Sequence, residues 1–335
     1  MQNTAGGMCL LLLAGAMNAS FSLPMKFVRL WAWENTWLLW SIFALLVFPG
    51  ALAFSTIPSF ASILQSNGGV VLLVALCGAA WGVAQVLFGL ALYKIGIALT
   101  FSIVLGLSAA MGSLIPLIRL HFDRLLTRGG TMSLAGIALV LIGVAASAVA
   151  GKIRDRGKDT GTTKNAAIGV GLVMAIVSGV CASMMNVGFV YGAPLAAAAS
   201  AHGANSLWVT DAVWFPLMAG GALPNLLYCI YLLSKRKTKA NYTAPSFARN
   251  LPLTVAMGFL WFGSSVLYGI ATAFLGELGP VVGWPLFMSL IVIVATLLGL
   301  WTGEWSGTAK SAFRIQGIAV VVLIAAIIVL SHATF

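Results

Sequence analysis

Polar side chains within apolar stretches are the residues of this chain most able to do chemistry. Asp211 lies in one such stretch, and Glu277 lies at the junction of two others. A charged side chain at the centre of a membrane helix costs about 2.5–3.5 kcal/mol, so such residues are rare and mark functional sites. A carboxyl group in a low-dielectric cavity can take up and release a proton. We therefore predict proton coupling through Asp211 or Glu277. The alternative for each is an acid that the dipole at a helix N-terminus stabilises.

Neutral polar residues and aromatic rings could bind an uncharged, hydroxyl-rich substrate. Asn18, Gln85 and Asn186 lie in the middle of apolar stretches. Each amide offers donors and an acceptor, which adjacent sugar hydroxyls require. Aromatic rings could supply flat apolar faces beneath a sugar ring. The aromatic candidates are Trp81, Trp214, Trp261, Tyr268 and Trp284. The alternatives are helix packing for the rings and interhelical hydrogen bonds for the amides.

Three further charged residues, Lys26, Glu34 and Glu304, fall at the ends of apolar stretches near other charges. There we expect solvated ion pairs that set topology or form a gate. The four cysteines lie in separate stretches without a Cys-x-x-Cys pair, so we predict no metal site. No phosphate-binding loop is visible, so we predict no cofactor other than the proton as coupling ion.

The elements that position these residues are long apolar helices. Hydrophobic residues make up 61% of the 335 residues and charged residues 7%, and the mean hydropathy is +1.04. This chain has too little polar surface for a water-soluble globule, so we predict an all-α integral membrane protein. Apolar runs of about 20 residues each predict ten spans. Their approximate ranges are 5–23, 34–54, 69–93, 96–118, 131–150, 166–190, 206–234, 250–275, 278–302 and 314–333.

An internal repeat divides the chain into two halves. Gly78, Trp81, Leu87, Phe88, Gly89, Ala91 and Gly96 correspond to Gly258, Trp261, Leu267, Tyr268, Gly269, Ala271 and Gly276, always 180 residues apart. Such a register predicts duplicated halves rather than chance hydrophobicity. We expect a five-helix repeat in residues 1–151, a cytoplasmic linker in 152–165 and a second five-helix repeat in 166–335.

The distribution of charge predicts the orientation. Fifteen of the 18 Lys and Arg residues lie in loops after odd-numbered spans, and such loops are retained in the cytoplasm. Both termini are therefore expected outside. Because each half has an odd number of spans, the second repeat is inverted, as in alternating-access transporters. This pattern also accounts for the net charge of +11, with weak attraction to membrane lipid and without nucleic-acid binding.

One tryptophan-rich segment carries a family resemblance. Residues Pro24, Lys26, Val28, Trp31, Trp33, Glu34 and Trp37 resemble the bacterial L-rhamnose-proton symporter family, within the drug/metabolite transporter superfamily. The resemblance continues through Gly78–Gly82, Leu141–Val144 and Gly303–Trp305. It implies ten helices in two inverted repeats, and proton-driven uptake of a deoxyhexose across the bacterial inner membrane. The chain departs from the family pattern around Gln85 and at the start of the ninth span.

Three functions remain open at this point. The first is proton-coupled import of a neutral monosaccharide such as L-rhamnose by a functional monomer, whose third, fourth, eighth and ninth spans move against the remainder. The second is export, or uniport, of another small metabolite, which the same superfamily also includes. The third is a membrane enzyme or sensor, which the absence of a nucleophile or paired-carboxylate constellation disfavours.

Overall fold

The computed structural model describes residues 3–95, 97–155, 165–243, 245–277, 279–303 and 305–334. Within these ranges the chain is helical, and ten helices are long and apolar enough to cross a membrane. This confirms the predicted all-α fold class with ten spans. It follows from backbone chemistry, because a helix pairs its own amide and carbonyl groups where no water is present.

The spanning helices agree with the predicted ranges to within a few residues at most ends. The first is α1 (Thr4–Ser20), and the second consists of α2 (Trp33–Ile42), a π-helical turn (Phe43–Val47) and α3 (Phe48–Thr56). The short helix α4 (Phe60–Ser66) lies outside the spans, and the short helix α9 (Ala193–Ala201) forms the end of the candidate span Gly169–Ala201. The remaining spans are α5 (Gly68–Ile95), α6 (Ile97–Leu120), α7 (Arg128–Asp155), α8 (Asn165–Tyr191), α10 (Asp211–Arg236), α11 (Phe247–Phe274), α12 (Gly279–Trp301) and α13 (Lys310–Ser331).

A proline explains the irregular second span. Pro49 follows the π-helical turn Phe43–Val47. Proline lacks the amide hydrogen and its ring clashes with the carbonyl four residues earlier. A wider π-helical turn accommodates that carbonyl without breaking the helix. The second span therefore continues to Thr56.

The seventh span begins later than predicted. The apolar pattern predicts a start near residue 206, which would place Asp211 inside the helix. In the structure α10 begins at Asp211, with Thr210 at the N-cap position. The preceding residues form tight turns, in which the Trp208 amide donates to the Asn205 carbonyl at 2.9 Å and the Asp211 amide donates to the Trp208 carbonyl at the same distance. Asp211 thus lies in the first turn, where the helix dipole favours a carboxylate.

Two compact units make up the structure. The first comprises Met1–Ala16, Leu87–Val187 and Ala271–Phe335; the second comprises Met17–Val86 and Gly188–Ile270. Each unit contains segments of both predicted repeats. The repeat boundaries at 1–151 and 166–335 stay a prediction, and so does the inversion. Within the predicted linker, helix α7 continues to Asp155 and α8 begins at Asn165, and residues 156–164 lie outside the described part of the chain.

Small residues bring helices of the second unit into close contact. A Cβ atom on Gly78 of α5 would lie 1.9 Å from the Leu217 carbonyl oxygen of α10, and one on Gly82 would lie 2.4 Å from that of Gly221. Both distances are shorter than any Cβ contact allows. Because lipid provides no hydrophobic force between helices, such close backbone approach is a main source of their attraction.

Candidate functional site

The structure distributes the predicted site residues between the two units. The second unit contains most of them, namely Asn18, Lys26, Glu34, Trp81, Gln85, Asp211, Trp214, Trp261 and Tyr268. The first unit contains Asn186, Glu277 and Trp284. Glu304 lies outside the described residues, so its predicted role stays a prediction.

Asp211 is a carboxyl group of the second unit that is buried and has no cationic partner among the described residues. Its side chain is 1% exposed. Its Oδ2 lies 3.3 Å from the Thr56 hydroxyl of α3, and its Oδ1 has no hydrogen-bond partner among the described residues. No lysine, arginine or histidine of the described residues forms an ion pair with it. A buried carboxyl group without a cationic partner is stable as the neutral acid.

Two more buried polar atoms without partners lie beside Asp211 on α10. Thr210 Oγ1 and Trp214 Nε1 have no hydrogen-bond partner among the described residues. They flank one glycine of α11, since a Cβ on Gly269 would lie 2.7 Å from Thr210 Oγ1 and 2.9 Å from Trp214 Nε1. We call Thr210, Asp211, Trp214 and Gly269 the Asp211 site.

Aromatic rings form one wall of the Asp211 site. Phe189 stacks on Trp214 with ring centroids 4.6 Å apart and planes at 25°. Tyr268 contacts both rings edge-on, at 5.5 Å from Phe189 and 6.3 Å from Trp214. Trp214 is 1% exposed and Tyr268 is fully buried. This packing fixes the orientation of the Trp214 indole and of its N–H group.

Trp81 and Trp261, the equivalent tryptophans of the two predicted repeats, stack on each other. Their ring centroids are 5.2 Å apart and their planes meet at 27°. The series continues through Trp40, which contacts Trp261 at 5.4 Å, to Trp37 at 4.4 Å and Trp33 at 5.0 Å. We call Trp33, Trp37, Trp40, Trp261 and Trp81 the tryptophan series. One face of Trp81 and one of Trp261 are thus occupied by the other ring, and binding of sugar by these rings stays a prediction.

Asn18 and Gln85 have different surroundings. The Asn18 amide donates to the Ser264 hydroxyl at 2.9 Å, and that hydroxyl donates to the Trp261 carbonyl at 2.6 Å. This arrangement is the interhelical bond expected as the alternative role of Asn18. Gln85 is half-buried and makes no hydrogen bond to any residue that the structure describes. Its amide is therefore available to a ligand.

In the first unit, Asn186 and Trp284 bind backbone carbonyls. The fully buried Asn186 amide donates to the carbonyls of Gly112 and Pro280, at 2.8 and 3.1 Å. The Trp284 indole donates to the Ser108 carbonyl at 3.0 Å. These bonds connect α8 and α12 with α6. They supply the interhelical contacts that polar groups make within membranes.

Glu277 lies at a surface of the first unit. Its side chain is 59% exposed, with Oε2 3.1 Å from the Arg124 guanidinium and Oε1 3.7 Å from His121. An exposed, ion-paired carboxylate is solvated and screened. Of the two predicted proton-coupling residues, Asp211 thus has the environment that suits a proton carrier better.

Glu34 differs from the solvated residue that we expected. It is fully buried at the start of α2, and its Oε2 lies 3.0 Å from Arg236 Nη1. The Thr238 hydroxyl donates to Oε1 at 2.9 Å. The expectation considered basic residues near Glu34 in the sequence, whereas its partner is 202 residues away. Lys26 is exposed in the 3₁₀ segment Leu23–Phe27.

Asn35 extends this network of the second unit. Its amide donates to the Thr238 carbonyl at 2.9 Å and its Oδ1 accepts from the Asn241 amide at 3.1 Å. The Tyr242 hydroxyl donates to the Asn35 carbonyl at 2.9 Å. Burial raises the pKa of Tyr242 to about 12. We call Glu34, Asn35, Arg236, Thr238 and Tyr242 the Glu34 network.

Sequence reasoning missed the partners of Asp211. Thr56 and Thr210 are ordinary threonines at span ends, a common place for this residue. Gly269 offered a signal, because the repeat retains a glycine there, although close packing alone could explain it. Trp40 was also missed. It is 1% exposed, and its indole Nε1 has no hydrogen-bond partner among the described residues.

Known proteins similar to this chain are transporters. The model of a protein family described as L-rhamnose-proton symport protein matches residues 1–334. An L-rhamnose-proton symporter of Yersinia pestis (strain Pestoides F) is 30% identical over 323 residues, which cover 94% of each chain. Proteins of the same name from Yersinia pseudotuberculosis (serotype O:1b, strain IP 31758) and Escherichia coli (O1:K1 / APEC) match over the same length at 30% identity.

Proposed function

Because the chain belongs to the L-rhamnose-proton symport family, we propose that it imports L-rhamnose together with protons. It is a multi-pass membrane transporter, with ten apolar helices in the described part of the chain, and not an enzyme. The bacterial relatives support a place in the cytoplasmic membrane. The excess of basic residues in alternate loops supports an orientation with both termini outside.

One observation carries the proton-coupling part of this proposal. Asp211 is a buried carboxyl group with one oxygen that has no partner among the described residues. An arginine beside a carboxylate favours its charged form; the other buried carboxyl group of the second unit, Glu34, has such a neighbour in Arg236 at 3.0 Å. Asp211 lacks such a cation, so it can exchange a proton when water reaches it.

Thr56 supplies the one side-chain hydrogen bond that Asp211 receives among the described residues. The Thr56 hydroxyl donates to the Leu52 carbonyl at 2.8 Å and lies 3.3 Å from Asp211 Oδ2. A hydroxyl has one hydrogen to donate. Thr56 donates to both the Leu52 carbonyl and Asp211 Oδ2, so its hydrogen is shared between them and the longer bond goes to the carboxyl group. The contact therefore stabilises the carboxylate that remains after the proton is released.

Transport would proceed by alternating access. Protonation removes the charge of Asp211. This lowers the free-energy cost of holding its side chain in the low-dielectric interior of the membrane. The movement of the third, fourth, eighth and ninth spans against the remainder is part of this proposal. Ten spans suffice for a complete path, so we propose that the monomer is functional.

Uptake by proteoliposomes tests the function. Purified protein would be reconstituted and given labelled L-rhamnose, with and without an inward proton gradient. We expect accumulation that a protonophore abolishes. If folded protein accumulates no L-rhamnose under the gradient, the proposed function is wrong. Equal uptake with and without the gradient would support L-rhamnose as the substrate and would rule out proton coupling.

A further inference from the structure

We propose that Thr210, Asp211 and Trp214 bind two neighbouring hydroxyl groups of the transported sugar, and that Gly269 keeps this site open. The inference rests on the proposed function and locates the sugar's polar groups within the protein. It places the sugar and the proton at one carboxyl group.

The first argument is the hydrogen bonding of three atoms in the first turn of α10. Thr210 Oγ1, Asp211 Oδ1 and Trp214 Nε1 are buried and have no partner among the described residues. Asp211 and Trp214 are each 1% exposed. Buried polar atoms without partners are uncommon in native proteins, and each needs an explanation. Three of them within one helical turn indicate a ligand that supplies the missing partners.

The second argument is the chemistry of these atoms. Residues three and four apart on a helix lie on one face, so Trp214 is a neighbour of both Asp211 and Thr210. Trp214 Nε1 can only donate, Thr210 can donate or accept, and the free Asp211 oxygen accepts. A sugar hydroxyl donates one hydrogen bond and accepts others. Two adjacent hydroxyls can therefore satisfy all three atoms.

The third argument is Gly269. A side chain there would meet Thr210 Oγ1 and Trp214 Nε1, because a Cβ would lie 2.7 and 2.9 Å from them. Both atoms thus lie next to Gly269 of α11, on the side where a side chain would be. The equivalent glycine of the first repeat, Gly89, is exposed and has nothing within 4 Å of its Cβ position. The need for glycine is therefore local to the Asp211 site.

The site also explains how a proton could assist sugar binding. Thr56 donates to Oδ2 of Asp211, and Oδ1 is left for a sugar hydroxyl. A proton taken up by the carboxyl group makes it neutral, and the group then bridges α3 to the sugar. Phe189 and Tyr268 hold the Trp214 ring in the orientation that its N–H group needs.

The experiment measures binding of L-rhamnose to purified protein in lipid nanodiscs by calorimetry. The variants are Gly269→Ala and Thr210→Val, with Gly89→Ala as the matched control. We expect both site variants to weaken binding about tenfold, the effect of losing one well-formed hydrogen bond. The control should stay within about twofold of the wild-type Kd, because its added methyl group meets no atom.

Sugar analogues that each lack one hydroxyl distinguish the loss of one hydrogen bond from weaker binding caused by misfolding. Thr210→Val conserves shape, so it remains informative if Gly269→Ala does not fold. We expect one analogue to lose no further affinity in Thr210→Val, since its missing hydroxyl is the one that Thr210 binds. Equal further losses for every analogue would overturn the inference. So would wild-type affinity in Thr210→Val.

Failure of the proposed function gives a different result. Wild-type protein that neither binds nor transports L-rhamnose would reject the proposed function, and with it a sugar in this site. Wild-type protein that transports L-rhamnose, with site variants that bind it normally, would reject the site alone.

Discussion

Trp81 and Trp261 stack face to face, with ring centroids 5.2 Å apart, although they occupy the same position in two sequence repeats. Both are almost fully buried, with 5% and 6% of their surfaces exposed. The contact joins α5 to α11 in the second unit. Two residues that the predicted repeat makes equivalent thus form a single packing contact.

Removing one ring of this pair should destabilise the protein. Trp261→Ala is expected to lower the free energy of unfolding by about 3–5 kcal/mol, because the change leaves a large cavity. Thermal unfolding of the purified protein in detergent measures the effect. Trp301→Ala is the matched control, since Trp301 is 81% exposed. Equal effects of the two variants would mean that the Trp81–Trp261 contact contributes no stability.

Replacing Asp211 should separate sugar movement from proton coupling. Asp211→Asn keeps an oxygen acceptor at Oδ1 but cannot exchange a proton. We expect L-rhamnose counterflow to persist and accumulation under a proton gradient to disappear. Glu277→Gln, which changes the exposed carboxylate beside Arg124, should retain accumulation. If Glu277→Gln abolished accumulation and Asp211→Asn retained it, Glu277 would be the proton-coupling residue.

Thr56 should tune the pH dependence of uptake. Thr56→Val removes the hydrogen bond that Thr56 donates to Asp211 and that stabilises the ionised carboxylate. The loss of uptake toward alkaline pH should therefore shift to higher pH by up to about one unit, the range expected for one hydrogen bond of about 0.5–1.5 kcal/mol. In acid medium uptake should equal that of the wild type, because Asp211 is then protonated in both proteins. Thr56→Ser should behave like the wild type.

Ser55→Ala is the control for Thr56. The Ser55 hydroxyl donates to the same Leu52 carbonyl at 2.9 Å but is exposed and has no contact with Asp211. Its loss should leave the pH profile of uptake unchanged. A uniform fall of uptake at every pH in Thr56→Val would indicate a structural role for Thr56 instead.

Breaking the Glu34 network should destabilise the second unit. Arg236→Gln leaves the fully buried Glu34 with only the Thr238 hydroxyl as partner. The loss is expected to be about 1–3 kcal/mol, below the value for a fully buried pair because Arg236 is 56% exposed. Lys235→Gln makes the same charge change one residue away. Adding Glu34→Gln to Arg236→Gln should restore part of the stability.

Tyr242 should make the protein sensitive to alkali. Burial raises the pKa of Tyr242 from its usual 10.0 to about 12. The folded state therefore holds the hydroxyl proton more tightly than the unfolded state does. The contribution to stability is complete below about pH 10 and is lost as the pH rises toward 12. Tyr242→Phe should flatten this fall in the unfolding temperature, whereas Tyr231→Phe, at an exposed tyrosine, should not.

The local hydropathy pattern predicted the spanning helices. It did not predict which residues contact each other, because the contacting residues are far apart in the sequence. Apolar runs and the need to pair backbone groups internally suffice to place ten helices. The start of α10 was wrong by five residues because Leu207 and Val209 continue the apolar pattern into the turns before Asp211. Hydropathy does not distinguish an apolar turn from an apolar helix.

The contacts of the site residues could not be predicted from local sequence either. Glu34 and Arg236 are 202 residues apart, and Thr56 and Asp211 are 155 apart. Nothing local indicates either pair. The repeat identified Gly269 and Trp261 as notable positions. It could not indicate that one faces unpaired polar atoms and the other stacks on its own counterpart, because those contacts arise only from packing.

Each compact unit contains residues from both halves of the chain, and this has a consequence for biosynthesis. The close approach of Gly78 to Leu217 needs α5 and α10, which leave the ribosome at very different times. A nascent chain that ends before residue 188 holds only the first segment of the second unit. The glycine-rich surface of α5 then faces lipid until α10 has been synthesised. Membrane chaperones and proteases would meet that intermediate during every round of synthesis.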